Sequence, residues 1–136
     1  MTLQNAQNDV VFSVISDGSL PGWQRLLIDV ELIEYDDGYD LESVCIAILR
    51  HSDNTFEQKQ FSLTKSTRDA IVNLYKFHKE NNFQKIGGFE LQLDYPGKYV
   101  FTYNYDKPNR LNGVWDEAHQ SRLNNYLEHY KAEIKR

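Results

Sequence analysis

Cysteine and long apolar runs are almost absent from this chain of 136 residues. Cys45 is the only cysteine, so no disulfide can form within the chain, and a buried free thiol in a reducing compartment is expected. No apolar run approaches the roughly 20 residues that a membrane-spanning helix needs. The first ten residues, MTLQNAQNDV, lack the basic and apolar parts of a signal peptide. These absences predict one cytoplasmic domain over residues 1–136, with residues 1–8 disordered and no membrane partner.

Motifs of catalysis and cofactor binding are also missing. There is no Gly-x-Ser-x-Gly nucleophile elbow, and residues 85–88 lack the length and the terminal Lys-Ser/Thr of a phosphate loop. Asp116 and His119 stand three residues apart, which is compatible with a metal, but two ligands do not make a site. The sequence therefore predicts a protein that is not an enzyme and that holds neither a cofactor nor a metal.

Basic residues are scarce in the first half of the chain. Residues 1–60 carry eleven acids and three bases, a net charge of −8; because the whole chain carries −5, residues 61–136 carry +3. Contact with phosphate groups needs clustered Lys and Arg, so direct nucleic-acid binding by the first half is not expected. A basic partner suits this half better.

The acids concentrate between residues 29 and 42, where seven acids stand without a base. This segment is either a solvated strand face with a turn or a docking surface for a basic protein. Calcium binding is a third reading, although the spacing does not match a calcium loop. From the alternation of residues 25–35, Asp29 and Glu31 should point outward from a strand. The candidate partner-binding residues are Asp29, Glu31, Glu34, Asp36, Asp37 and Asp40.

Alternating apolar residues predict the strands. Residues 89–105, FELQLDYPGKYVFTYNY, alternate on both sides of a Pro-Gly turn, which is typical of an antiparallel hairpin with one apolar, aromatic side. Residues 25–35 alternate in the same way, with a turn predicted at Asp36-Asp37-Gly38. Residues 41–50 are apolar on both faces, as in a central strand. Residues 55–63 alternate less regularly.

Two stretches, 64–82 and 114–135, carry apolar residues at helical spacing, whereas residues 8–15 could form a short helix or a strand. The pattern predicts an α+β fold, with an antiparallel sheet of about five strands and two or three helices packed on one face. We expect the 65–82 and 114–135 helices to share the apolar face of the hairpin. The residues expected in the core are Trp23, Ile28, Val30, Leu74, Leu91, Leu93 and Phe101.

The tyrosines of the hairpin leave two interpretations open. Tyr99, Tyr103 and Tyr105 can pack under a helix with their hydroxyl groups at the rim. Alternatively, they can stack on bases from an exposed sheet, as in proteins that bind single strands.

Three motifs follow one another in an order found in a known family. They are LPGW at 20–23, IVNLYKFHKENN at 71–82 and GKYVFTYNYD at 97–106. With these motifs the chain resembles, over roughly residues 9–106, the YezG-type family of bacterial immunity and antitoxin proteins. The matching positions, which we interpret as fold-forming, are Trp23, Lys98, Tyr99, Phe101 and Tyr103.

This resemblance implies a non-enzymatic immunity protein of a polymorphic toxin system, such as contact-dependent inhibition. Such a protein neutralises a cognate basic toxin, often a nuclease, by blocking its active site or substrate surface. For this chain we expect a monomer or weak dimer. Two rival hypotheses remain. One is an adaptor that binds another protein through the same acids, and the other is a small sheet domain that binds a ligand or nucleic acid through its tyrosines.

Overall fold

The computed structural model describes residues 2–81 and 85–135, which form a five-stranded antiparallel sheet flanked by helices. The elements are α1 (Leu3–Gly18), β1 (Trp23–Tyr35), β2 (Gly38–Arg50), β3 (Phe56–Gln60), α2 (Lys65–Glu80), β4 (Gly88–Asp94), β5 (Lys98–Asn104), α3 (Glu117–Asn124) and α4 (Tyr126–Ile134). The strand order is β3-β2-β1-β4-β5. The predicted α+β class and the antiparallel sheet of five strands are confirmed.

Strand β1 lies at the centre of the sheet and is paired on both sides along only part of its length. It pairs with β2 from Trp23 to Tyr35, but with β4 only from Arg25 to Glu31. Strand β3 pairs with β2 only from residue 46 onward. The β1–β2 hairpin therefore continues past the rest of the sheet as a two-stranded arm.

One face of the sheet, which we call the N-terminal face, is covered by α1 and α2. Leu26, Ile28 and Val30 of β1 point to this face and are buried together with residues of both helices. Because alternate residues of a strand point to opposite faces, the even positions of β1 belong to this core. The residues that the two helices contribute to it are Ala6, Val10, Val11, Val14, Ile71, Leu74 and Tyr75. Of the two helices on this face, α2 was predicted, whereas the α1 segment could have been a helix or a strand.

Helix α1 corrects the prediction of disorder for residues 1–8. The helix begins at Leu3, and the side chain of Thr2 accepts a hydrogen bond from the backbone N–H of Asn5, which caps it. Ala6 is buried in the core, so packing holds the first turns in place. The open alternative for residues 8–15 is thus decided in favour of a helix. Met1 and the predicted helix end at Asn82 lie outside the described residues.

The C-terminal helices pack on the opposite face of the sheet, so the prediction that the 114–135 segment shares a face with the 65–82 helix is wrong. Leu27, Ile46 and Ile48 form an apolar patch on this second face, which we call the C-terminal face. Exposure of this patch to water would be unfavourable, and it is buried by Leu123, Tyr126 and Tyr130 of α3 and α4. The segment is also not one helix, because α3 ends at the C-cap Asn125 and Trp115 precedes α3 and is exposed.

The remaining core predictions agree with the structure, with one exception. Trp23, Ile28, Val30, Leu74, Leu91 and Leu93 are all buried. Phe101 is only partly buried, because β5 is an edge strand with a neighbour on one side.

Candidate functional site

Five of the six acids singled out in the sequence fall into two groups in the structure. Asp29 and Glu31 were expected to face solvent, but their exposed fractions are only 7% and 9%. They occupy odd positions of β1, on the C-terminal face, where the last third of the chain covers them. Asp36, Asp37 and Asp40 are exposed at the end of the arm. Glu34 lies between the two groups and is partly buried.

Arg110 neutralises the acids of the first group. Its Nη2 atom lies 2.8 Å from Oδ1 of Asp29, its Nη1 atom lies 3.6 Å from Oε2 of Glu31, and its Nε atom donates to Glu42. Burial opposes the charge of Arg110, but the hydrogen bonds to Glu42 and Asp29 outweigh it and raise the pKa of the guanidinium group. The side chain reaches this position from a short 3-10 turn at Arg110–Asn112.

The register explains why this arginine is needed. Glu31 of β1 stands directly opposite Glu42 of β2, and Asp29 stands directly opposite Glu90 of β4. Like charges at opposed positions repel each other. Arg110 lies against Glu31 and Glu42, while Arg122 of α3 forms two hydrogen bonds of 2.7 and 2.8 Å to Glu90. Cations from the C-terminal third therefore separate the acids of the sheet.

A third arginine completes this arrangement from the strand side. Arg25 of β1 binds Asp94 on β4, Glu133 on α4 and the hydroxyl group of Tyr126. Burial opposes its charge, but the hydrogen bonds to Glu133, Asp94 and Tyr126 raise the pKa of its guanidinium group above the ordinary value. We call this set of charged side chains the ionic layer; its members are Arg25, Asp29, Glu31, Glu42, Glu90, Asp94, Arg110, His119, Arg122 and Glu133.

The side chains of Asp116 and His119 are both engaged within the fold. The carboxylate of Asp116 caps α3 by accepting from the backbone N–H of His119, and Nε2 of His119 lies 2.9 Å from Oδ2 of Asp29. Within residues 2–81 and 85–135, no group of three or more His, Cys, Asp or Glu side chains is placed to hold a metal ion. Both residues act within the fold.

Glu34 is tied to α2. Its carboxylate accepts hydrogen bonds of 2.7 and 2.9 Å from Nζ of Lys79, and the bond to Lys79 lowers the pKa of Glu34. The Tyr75 hydroxyl group donates to the same carboxylate at 3.4 Å, while burial raises the pKa of Tyr75 to about 12. The ring of Tyr39 packs edge-on against Tyr75. These contacts fix the arm of the β1–β2 hairpin against the helix.

The end of the arm, residues 35–40, is the acidic tip. Asp36 and Asp37 form the predicted turn, and the φ angle of 152° at Gly38 is one that favours glycine. Among the described residues, Asp36, Asp37 and Asp40 have no ion-pair partner. The side chain of Tyr35 is half-exposed beside them. The tip thus carries unneutralised charge next to an aromatic side chain.

A cavity of about 360 Å³ opens at the base of the arm. It is lined by residues 32–34, 85–87 and 105–108 and by Asn112. Leu32 and Ile86 make part of its wall apolar, while its charged lining residues are two lysines and two acids: Lys85, Lys107, Glu34 and Asp106. Its size suits one or two side chains of a partner.

The tyrosines of β5 follow the first of the two interpretations. The hydroxyl groups of Tyr99 and Tyr103 bind Gln4 and Gln7 of α1, and their rings pack against the main core. Tyr105, beyond the end of the strand, departs from this interpretation and is about half-exposed. Base stacking on Tyr99 and Tyr103 would require α1 to leave the sheet.

Sequence comparison adds no relative to this picture. No protein-family profile matches the chain, and no curated protein matches it significantly. The resemblance to the YezG-type family stays a prediction. Among the described residues, no helix is long and apolar enough to cross a membrane.

No local pattern pointed directly to the ionic layer, because Arg110 is 81 residues from Asp29 along the chain. An indirect sign was present in residues 41–50. A strand that is apolar on both faces needs a cover on both faces, and acids on the neighbouring strand then need counter-ions.

Proposed function

We propose that this chain is an immunity protein that acts in the cytoplasm and neutralises a cognate basic toxin by binding it. The proposal is carried by the acidic tip, where Asp36, Asp37 and Asp40 are exposed and unpaired among the described residues. The resemblance to the YezG-type family supports the same role. The arm and its tip are the docking element in this proposal.

The chemistry of the tip suits a nuclease as the toxin. A nuclease surface that contacts phosphate groups must be rich in Lys and Arg. Exposed carboxylates attract such a surface and compete with the nucleic acid for it. Tyr35 supplies the aromatic side chain that often anchors the centre of an interface.

The proposed docking surface is smaller than the acidic segment of the sequence. Asp29 and Glu31 are occupied by Arg110, and Glu34 is occupied by Lys79. An ion pair already made within the chain must be broken before its acid can serve a partner. Asp36, Asp37 and Asp40 need no such exchange, so they make the first contact.

The first test concerns the role itself. Each gene that flanks the gene of this chain is expressed in a bacterial host, with and without this chain. We expect one neighbour to arrest growth and this chain to restore it. If a neighbour is toxic and this chain binds it without restoring growth, the chain is an adaptor, and the immunity role is wrong. If no neighbour is toxic, the immunity role also fails.

The second test concerns the tip and uses a matched pair of charge reversals. The double variant D36K/D37K changes the net charge by +4, as does the control D9K/E128K, whose sites are exposed on α1 and α4. Electrostatic steering raises association rates by about 10- to 1,000-fold. We expect D36K/D37K to slow association with the purified toxin by about 10-fold or more at low salt and to flatten its salt dependence.

The readout is stopped-flow association at two salt concentrations, with circular dichroism as a check on folding. The association rate of the control variant should fall much less, since its substituted residues lie away from the tip. Equal slowing in the two double variants would mean that net charge, and not the tip, steers the toxin.

A further inference from the structure

The two edges of the sheet are protected to different degrees. Edge strand β3 carries Glu57 and Lys59, and the side chain of Gln58 accepts a hydrogen bond of 2.8 Å from the backbone of Leu127 in α4. Edge strand β5 has no charged residue between Tyr99 and Asn104, and no proline. Natural sheets guard their edges with charges, prolines or bulges, because an open edge pairs with other strands. Apart from Lys98 at its first position, strand β5 lacks these guards.

The outer side of β5 is also open. Among the described residues, its backbone bonds only to β4 and to the N–H of Gly87, which donates to the carbonyl of Asn104 at 2.7 Å. Three large exposed apolar side chains, Tyr95, Val100 and Tyr105, lie just before, within and just after the strand. Exposed apolar side chains beside an open strand are typical of an interaction surface.

We propose that β5 pairs antiparallel with β5 of a second copy of this chain, centred on Phe101, so that two sheets join into one of ten strands. In this register Phe101 faces its own counterpart, and Tyr99 faces Tyr103 of the second copy. Val100 faces Thr102 of the second copy, twice per dimer. Aromatic pairs and pairs of β-branched residues are favourable cross-strand neighbours.

Charge supports a second copy as the occupant. The only charged residue of the strand, Lys98, lies opposite the uncharged Asn104 of the second copy. It is one diagonal step from Asp106, a residue of opposite charge. No like charges oppose each other in this register, so the strand is complementary to itself.

The size of the contact predicts a weak dimer. A stable interface buries about 800 Å² per partner, and a seven-residue strand edge offers less than this. We expect a dissociation constant between about 1 μM and 1 mM. This inference does not depend on the acidic tip, because β4 lies between β5 and β1, one of the two strands of the arm. Either proposal can fail without the other.

Sedimentation equilibrium of the purified chain up to about 1 mM tests the dimer, with a matched pair of variants. Val100 and Val114 are both 53% exposed, but only Val100 lies on β5. In Val100→Lys the two new lysines are diagonal neighbours across the dimer axis and repel each other. We therefore expect the dissociation constant of the dimer to rise at least 10-fold. Val114→Lys should leave it unchanged. A monomeric wild-type chain at about 1 mM, or equal effects of the two variants, would overturn the proposal.

Engineered disulfides test the register. In V100C/T102C each new cysteine faces a cysteine of the second copy, and mild oxidation should give a covalent dimer. In T102C alone the two cysteines are diagonal neighbours about 7–8 Å apart, too far for a disulfide. Ready cross-linking of T102C alone would show a ladder centred on Thr102 and overturn the Phe101 register. Failure of V100C/T102C to cross-link would do the same.

Discussion

The two faces of the sheet are buried by different means. The N-terminal face meets α1 and α2 through aliphatic and aromatic side chains. The C-terminal face meets α3 and α4 through a small apolar patch together with the ionic layer. Strand β1 supplies both faces, with Leu26, Ile28 and Val30 on one and Arg25, Asp29 and Glu31 on the other. Alternation of apolar and charged residues in a strand therefore does not by itself mean that the charged side faces water.

The two faces differ in what they contribute to stability. Burial of apolar surface contributes roughly 25 cal/mol per Å². A buried ion pair contributes little net free energy, because the attraction between the charges is offset by their loss of water. Removal of one partner is nevertheless costly, since the other charge stays buried without compensation. We infer that the apolar face supplies most of the stability and that the ionic layer fixes where the C-terminal third lies.

The largest loss of stability is expected from a substitution in the ionic layer. Arg110→Ala leaves Asp29, Glu31 and Glu42 without their shared cation, and we expect it to lower the free energy of unfolding by about 3–5 kcal/mol. The measurement is urea denaturation followed by circular dichroism. Arg68→Ala, at an exposed arginine of α2, is the control and should cost much less. A loss below about 1 kcal/mol in Arg110→Ala would mean that water, not Arg110, solvates these acids.

A comparable loss of stability, caused by lost apolar packing alone, is expected on the N-terminal face. Leu93 is fully buried, so Leu93→Ala should lower the free energy of unfolding by about 2–5 kcal/mol. Val100→Ala, at an exposed site on the neighbouring strand, should stay within about 0.5 kcal/mol at concentrations where the chain is monomeric. Salt provides a further distinction between the faces. High salt should change the free-energy cost of Arg110→Ala more than that of Leu93→Ala. Equal salt dependence would contradict the contrast between the faces.

A smaller effect on stability is expected from pH, because the N-terminal face also carries a titratable group. His78 of α2 is buried with its ring centre 4.4 Å from that of Tyr103. Burial lowers the pKa of His78 below its ordinary value of 6.5. The unfolded chain then binds a proton on this side chain at a higher pH than the folded chain does. The free energy of unfolding should therefore fall as the pH drops below about 6.5, by at most about 1.4 kcal/mol per pH unit.

The measurement is urea denaturation between pH 5 and 7.5 for the wild type, His78→Gln and His129→Gln. We expect His78→Gln to reduce the slope of stability against pH, whatever its effect on stability itself. His129 is exposed on α4, so His129→Gln should keep the wild-type slope. The same slope in all three proteins would contradict a role for His78.

Local patterns predicted most of the sheet, because the hairpin at 89–105 and the turn at Asp36-Asp37 are encoded by neighbouring residues. The side of the sheet on which the last segment packs could not be read in this way. The helical stripe of 114–135 shows which side chains are buried, but it does not show which face of the sheet they meet. Only the apolar residues on both sides of β2 pointed to a second layer. The acids of β1 were misplaced for the same reason, since their cation is remote in the chain.

The register of the central strand determines how far the arm extends past the rest of the sheet. Beyond Glu31, β1 continues for four residues with β2 as its only strand neighbour, so the arm extends roughly 13 Å past the last pair with β4. Contacts from Tyr75 and Lys79 to Glu34 stiffen the arm against α2. A stiff element loses less conformational freedom on binding than a flexible loop does. Under the proposed function, the acidic tip therefore meets the toxin without having to change shape first.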